Sequence, residues 1–394
     1  MARPPLTAFS PSFNGPEGQE DMPWLMTAGP VVTSRDVKLA MLADWSVRDA
    51  EFITLALRVT EQLLDLVNGN ELYDCIPVNF SGLAAMESAL GALAPSGRKR
   101  QTLVAATGPC AAEATGILEH LKRPHQVLGV QAGKPVSSRG LMRALEATAD
   151  VQTVVLSQLD ITTGIVSPVE ELAGKAKAAG KTVVVDARHG LGALPVDLSA
   201  GHVDALVTVP WCALGGVPGF SFIVARRDLL GVKLASSPSA ALDLFELWNG
   251  VHRTGRFPGT PPAQAISACA AALRELDLEG GPPVRLARFR QVHKRLQAGM
   301  AQLGFQAAVD AGDAACGFLT LYAAPSDPNY NYPAFAQRLR QRGFIIMDGE
   351  GCPAPAGSFR VATMGHMQDE TADSFVEAVE QVMRDLGVRS GKAG

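Results

Sequence analysis

A few polar residues interrupt long apolar runs at places where they could hold a charged small molecule. Asp186 ends the run KTVVVD (181–186) and is followed by Ala187, Arg188, His189 and Gly190. Ligands of open α/β sheets bind beyond the carboxyl ends of parallel strands. A carboxylate there can hold a protonated pyridine nitrogen and keep that ring an electron sink, or it can simply cap a turn. Ser81 and Gly82 precede a helical run, SGLAAMESALGAL. The N–H groups of such a helix start can bind phosphate without a charged side chain, or the pair is an ordinary cap. The segment WCALGGVPGF (211–220) carries Gly215, Gly216 and Gly219, which allow backbone to approach a ligand closely or make a tight connection. Arg360, in SFRVA, offers the two-pronged donor that suits a carboxylate or phosphonate, or it is a surface Arg. His189 is a candidate base, set against the plainer reading of a His in a turn.

These residues need a scaffold, and the apolar pattern supplies one. Short β-rich runs at 101–106, 125–131, 152–158, 181–186, 205–209 and 221–226 alternate with helical runs at 81–93, 111–120, 138–149 and 169–179. That alternation predicts an α/β fold with a mainly parallel sheet and helices on both faces. Beyond it the pattern predicts one long helical stretch from about Pro261 to Leu303. Strands at 317–322, 343–347 and 358–362 and helices at 332–342 and 369–386 would follow, as a smaller α+β unit. The expected organisation is a flexible tail over 1–24, a large domain over 25–275 and a small C-terminal domain over 276–394.

Composition excludes several functions. The net charge is −4 and no basic stripe stands out, so nucleic acid is not an expected partner. No run of about 18 apolar residues exists, so no membrane span is expected. The six cysteines, at 75, 110, 212, 269, 316 and 352, form no CxxC pair and no metal-ligand spacing. With no secretory segment at the start, they read as reduced, mostly buried thiols of a cytoplasmic protein, and no metal is expected.

Seven segments, in order, resemble the class V aminotransferases of pyridoxal-phosphate fold type I, especially the 2-aminoethylphosphonate:pyruvate transaminases. They are TAGPVVTSRDVKLAMLADWSVRD (27–49), SGLAAMES (81–88), DITTGIVSPVEEL (160–172), VDARHGLGALPVDL (185–198), GGVPGFSFIVARRDLL (215–230), GRFPGTPP (255–262) and FRVATMGH (359–366). The resemblance implies a seven-stranded sheet and a homodimer with sites at the subunit interface. It implies pyridoxal or pyridoxamine 5'-phosphate as cofactor. It would place Ser81, Gly82 and Leu83 at the phosphate, Cys110 against the ring, Thr162 beside it, Asp186 at the pyridine nitrogen, and Thr260 in the partner's site. Arg360 would bind a small anionic amino or oxo acid, or an aminophosphonate.

The same comparison exposes departures. Counted back from Val-Pro-Gly-Phe, Cys212 stands at the position of the family's cofactor lysine. None of the ten lysines falls in this loop, and Lys233 lies beyond the next strand. Leu83 stands for a Thr, Cys110 for the stacking aromatic, and Asp160 and Ile161 for a Glu and a Thr. A thiol forms no imine and is a weak base unless its pKa is strongly lowered. Any cofactor is therefore expected to bind non-covalently, and transamination to be impaired. Two other readings stay open. One is a lysine-free enzyme working with pyridoxamine phosphate, with His189 as base. The other is a non-catalytic binding or regulatory homologue, including a heterodimer with an active paralogue.

Overall fold

A computed structural model describes residues 22–97, 99–131, 133–230, 237–257, 259–349 and 351–393. Most of the expected tail, residues 1–21, and Lys233 lie outside the described residues. The large unit is a sheet of seven strands with helices between them. In chain order these are β1 (Tyr73–Val78), α1 (Gly82–Leu93), β2 (Gln101–Ala105), α2 (Gly108–His120), β3 (His125–Val127), α3 (Ser138–Ala147), β4 (Val151–Ser157), α4 (Val169–Ala178), β5 (Thr182–Asp186), β6 (Ala205–Thr208) and β7 (Ser221–Arg226). The sheet order is β1-β7-β6-β5-β4-β2-β3. All neighbours run parallel except β7, which is antiparallel to both β1 and β6.

The central strands β2, β4, β5, β6 and β7 bury both faces, which explains their apolar content, whereas the edge strand β3 is half-exposed, with Val127 51% exposed. One face packs Val154, Leu156, Val183, Val185 and Leu206 into one core. The other packs Val104, Val155, Val184, Val207 and Ile223 against α1 and α2. Side chains alternate along a strand, so Asp186, two residues after Val184, emerges on the α1–α2 face.

Two sequence expectations need correction. The sheet includes β1, which the apolar runs did not reveal. Asp74 and Pro77 break its pattern, and it survives because it is an edge strand, where a missing N–H is tolerated. The stretch expected as one helix from Pro261 to Leu303 is two, α5 (Ala263–Glu279) and α6 (Pro282–Gln302). Gly280 and Gly281 between them both take positive φ, at 104° and 84°, which ends the first helix.

The C-terminal region adds a three-stranded antiparallel sheet, β8 (Leu319–Tyr322), β9 (Met347–Asp348) and β10 (Phe359–Ala362), in the order β8-β10-β9. It is followed by α7 (Asp369–Leu386), and α6 and α7 pack together. Trp24–Leu25 pairs in parallel with Phe344–Ile345, and Met26 joins the core of Phe344, Phe359 and Phe375. The N-terminal segment is thereby tied to this region before it passes to the large sheet. Among the described residues no helix is long and apolar enough to cross a membrane, and no group of three or more His, Cys, Asp or Glu could hold a metal.

Candidate functional site

The carboxyl end of β5 is the centre of a buried charge cluster. Asp186 is 3% exposed. Its Oδ1 accepts from the Arg188 backbone N–H at 3.1 Å and from Arg188 Nε at 2.9 Å, and its Oδ2 accepts from Arg188 Nη2 at 2.7 Å. Arg188 is 6% exposed, and its Nη2 also donates to Glu113 Oε2 on α2 at 2.6 Å. Burial pushes the Asp186 carboxyl up, but the Arg188 charge and hydrogen bonds outweigh it and leave the group below the usual carboxylate range. For Arg188 burial favours the neutral form, and Asp186 reverses that and raises its pKa. The cluster is therefore a permanently charged, forked ion pair.

The α1 start is what lets Arg188 lie there. Ser81, in an extended conformation, begins α1 without a side-chain cap. At Gly82 an added Cβ would stand 2.5 Å from Arg188 Cδ and 2.7 Å from Val209 Cγ1. Only a residue with no side chain admits the Arg188 methylenes over the first turn of the helix. Leu83 points away and is 45% exposed.

Cys110, on the first turn of α2, also faces this cluster. Burial first, then the Asp186 charge, push its thiol well up. Cys212 is fully enclosed, and its Sγ lies 3.4 Å from His189 Nδ1. Burial pushes the Cys212 thiol far up. Burial also pulls His189 down to about 4, with Arg188 adding to the effect and Asp186 opposing it. With both groups neutral, the thiol donates to Nδ1 when the ring proton sits on Nε2, and accepts from Nδ1 in the other tautomer. The backbone at Gly29 crosses directly above, so close that a methyl there would stand 2.7 Å from Cys212 Sγ. Arg285, on α6, fixes the Cys212 loop from the other side. Its Nη1 donates to the carbonyls of Ala213 at 3.2 Å and Leu214 at 2.9 Å, while its Nε donates to Glu279 at 2.8 Å.

The other expected site residues fall in two neighbouring places. Thr162 donates its N–H and its hydroxyl to Asp160 Oδ1, at 2.8 and 2.5 Å. Both line a cleft of about 490 Å³ with Thr107, Gly108, Ala111 and Cys352. Arg360, 7% exposed, is not among the residues lining that cleft: its Nε donates to the Asp348 carbonyl at 2.8 Å and its Nη1 donates at 3.3 Å to the carbonyl of Ile161, which lies between the lining residues Asp160 and Thr162. Thr260 is exposed and lines a different cavity, of about 520 Å³, with Asn79, Phe80 and Leu247. The structure thus gathers Gly82, Cys110, Asp186, His189 and Cys212 around Arg188, with Ser81 at the adjacent helix cap. It sets Thr162 and Arg360 beside the cleft, and Thr260 and Leu83 toward the surface.

Sequence reasoning assigned no role to Arg188, Glu113 or Arg285. For Arg188 a signal existed, because an Arg two residues beyond a strand-end Asp can fold back on that carboxylate. Glu113 and Arg285 act across the fold, and nothing local in the chain marks them.

Chemically, the cluster offers a fully paired carboxylate, two protonated thiols and a neutral imidazole. No lysine amine is hydrogen-bonded to any of these groups among the described residues. The cluster can hold charge and shape.

Comparison with known proteins adds descent to this geometry. A family model described as aminotransferase class-V matches residues 127–368. A 2-aminoethylphosphonate–pyruvate transaminase of Burkholderia pseudomallei (strain 668) is 36% identical over 366 residues, covering 93% of this chain and 98% of that one. The corresponding protein of Burkholderia thailandensis is 35% identical over the same length. Among solved structures, alanine–glyoxylate aminotransferase of Nostoc sp. superposes with a TM-score of 0.82 at 22% identity, covering 95% of this chain and all of that one. Ureidoglycine–glyoxylate aminotransferase of Bacillus subtilis gives 0.82 at 19% identity, covering 95% of each. The mainly parallel sheet and these neighbours identify the architecture as that of the fold type I aminotransferases.

Proposed function

The chain belongs to the class V aminotransferase family, and from that premise we propose that it is a lysine-free member in which imine-based amino transfer is lost and small-anion binding is retained. The reading rests on one observation. The groups packed around Asp186 are a guanidinium, two thiols and an imidazole, and the enclosed Cys212 is the residue that the sequence resemblance sets at the family's lysine position. Homology to 2-aminoethylphosphonate–pyruvate transaminases supports an aminotransferase ancestry and, with it, use of pyridoxal or pyridoxamine phosphate by that ancestor.

The residues as arranged do not fit that cofactor. Both oxygens of Asp186, the natural partner of a ring nitrogen, are engaged by Arg188. At the first turn of α1, the natural phosphate cradle, the Arg188 methylenes lie against Gly82, where a Cβ would stand 2.5 Å from Cδ. No step of a reaction is therefore assigned to the cofactor here. The ligand class that the reading supports is a small anionic amino or oxo acid or an aminophosphonate, with the buried Arg360 beside the cleft as its proposed partner.

The test is an assay of alanine formation from pyruvate and 2-aminoethylphosphonate, with pyridoxal phosphate in excess. Loss of the covalent nucleophile predicts a rate at least about 1,000-fold below that of a lysine-bearing relative. A rate within about tenfold of that relative would sink the proposal. The ligand assignment is read separately by calorimetric titration with pyruvate and with 2-aminoethylphosphonate. Arg360→Ala is expected to weaken binding by about tenfold or more, and unchanged affinity would remove Arg360 from the site.

A further inference from the structure

We propose that Arg188 is a built-in competitor for the cofactor: its side chain occupies both the ring-nitrogen partner and the phosphate cradle, so that the Asp186–Arg188 pair and a bound pyridoxal or pyridoxamine phosphate exclude one another. The inference deepens the lysine-free reading and rests on the family membership that underlies it.

Three observations converge on one side chain. The guanidinium makes a fork on Asp186, with Nε on one oxygen and Nη2 on the other. That arrangement supplies the cation and the in-plane donors that a protonated ring nitrogen would bring to the same carboxylate. The methylenes lie on Gly82, the first residue of a twelve-residue helix. A phosphate taking the N–H groups of that turn would meet Arg188 Cδ, which stands 2.5 Å from where even a Cβ at Gly82 would be. Finally, the same Nη2 is tied to Glu113, whose side chain is 41% exposed. Glu113 gives Arg188 a carboxylate to remain with if it leaves Asp186.

The charges support the exclusion. Two carboxylates share one guanidinium, and no lysine or further arginine is hydrogen-bonded to Asp186 or Glu113 among the described residues. A ring nitrogen approaching Asp186 in the carboxylate plane meets the Nε and Nη2 donors already seated there, and Arg188 clears that approach by moving to Glu113. The energy of breaking the buried pair is subtracted from the cofactor's affinity.

The experiment is an equilibrium titration of the purified full chain with pyridoxal phosphate and pyridoxamine phosphate, followed by near-ultraviolet absorbance and by shift of the thermal midpoint. The wild type is expected to bind weakly. Arg188→Gln removes the cation and keeps a short hydrogen-bonding side chain, and is expected to tighten binding by about tenfold or more. If that variant does not fold, Arg188→Lys loses the fork but keeps the charge, and is expected to tighten binding by a smaller factor. Affinity unchanged or weakened in the folded variant would overturn the proposal, as would wild-type binding as tight as that of the variant. The two proposals fail separately. Turnover by the wild type sinks the lysine-free reading, whereas equal affinity of wild type and variant sinks the competition and leaves that reading intact.

Discussion

Replacing Arg188 by Met is expected to destabilise the protein by about 3–5 kcal/mol, because it strands the Asp186 carboxylate in a site where it is 3% exposed. The charge of Asp186 is maintained by Arg188 against burial. Without the guanidinium, the carboxyl must either stay charged without a partner or take up a proton. What remains to it is the backbone N–H of residue 188, 3.1 Å from Oδ1, and weak donors such as the thiol of Cys110, none of which carries a charge. The measurement is urea unfolding of wild type, Arg188→Met, Asp186→Asn and the double variant. A double-mutant cycle isolates the pair. The double variant is expected to recover most of the loss, since replacing both partners removes the stranded charge. If Arg188→Met costs under about 1 kcal/mol, the pair is a solvated surface contact and its buried geometry is wrong.

How much of this was legible beforehand differs between fold and site. Five of the six β-rich runs followed from their Val, Ile and Leu content, since a strand covered on both faces leaves that trace in sequence; the run at 125–131 is interrupted, and only His125–Val127 of it forms a strand, half-exposed at the sheet edge. The strand Tyr73–Val78 left a weaker one, because its place at the edge tolerates Asp74 and Pro77. The break at Gly280 and Gly281 was visible as a pair of glycines, but a helix can continue through one glycine at modest cost, and only the positive φ of both shows that it does not. Asp186 could be found from its position at a strand end. For its partner the only local signal was an Arg two residues on, and periodicity says nothing about that side chain lying over Gly82. The meeting of Cys212 with His189 spans 23 residues, and the hold of Arg285 on Ala213 spans 72. Such contacts are set by packing and have no local signature.

Buried histidines set the acid limit of the fold, and His293 gives the cleaner case. It is fully buried on α6, with Nε2 2.8 Å from Thr320 Oγ1 and Nδ1 3.2 Å from Thr363 Oγ1. Burial alone pulls its pKa down to about 3, from an ordinary value of 6.5. The unfolded chain therefore binds a proton below pH 6.5 that the folded chain refuses until about pH 3. In that window the unfolded state holds more protons, so stability falls as pH falls. One such histidine removes about 1.4 kcal/mol for each pH unit below 6.5. His189, pulled down by burial to about 4, adds a second loss of the same sign over a narrower range. Unfolding free energy measured by urea at pH 7.5 and pH 5.5 is expected to differ by about 1–3 kcal/mol from these two groups together. His293→Gln keeps a donor and an acceptor between the two threonines and cannot titrate. It is expected to lower stability at pH 7.5 but to flatten the pH dependence by about one proton's worth of slope. A variant whose slope matches the wild type would show that His293 titrates normally, and that the buried threonine–histidine–threonine chain does not exist in solution.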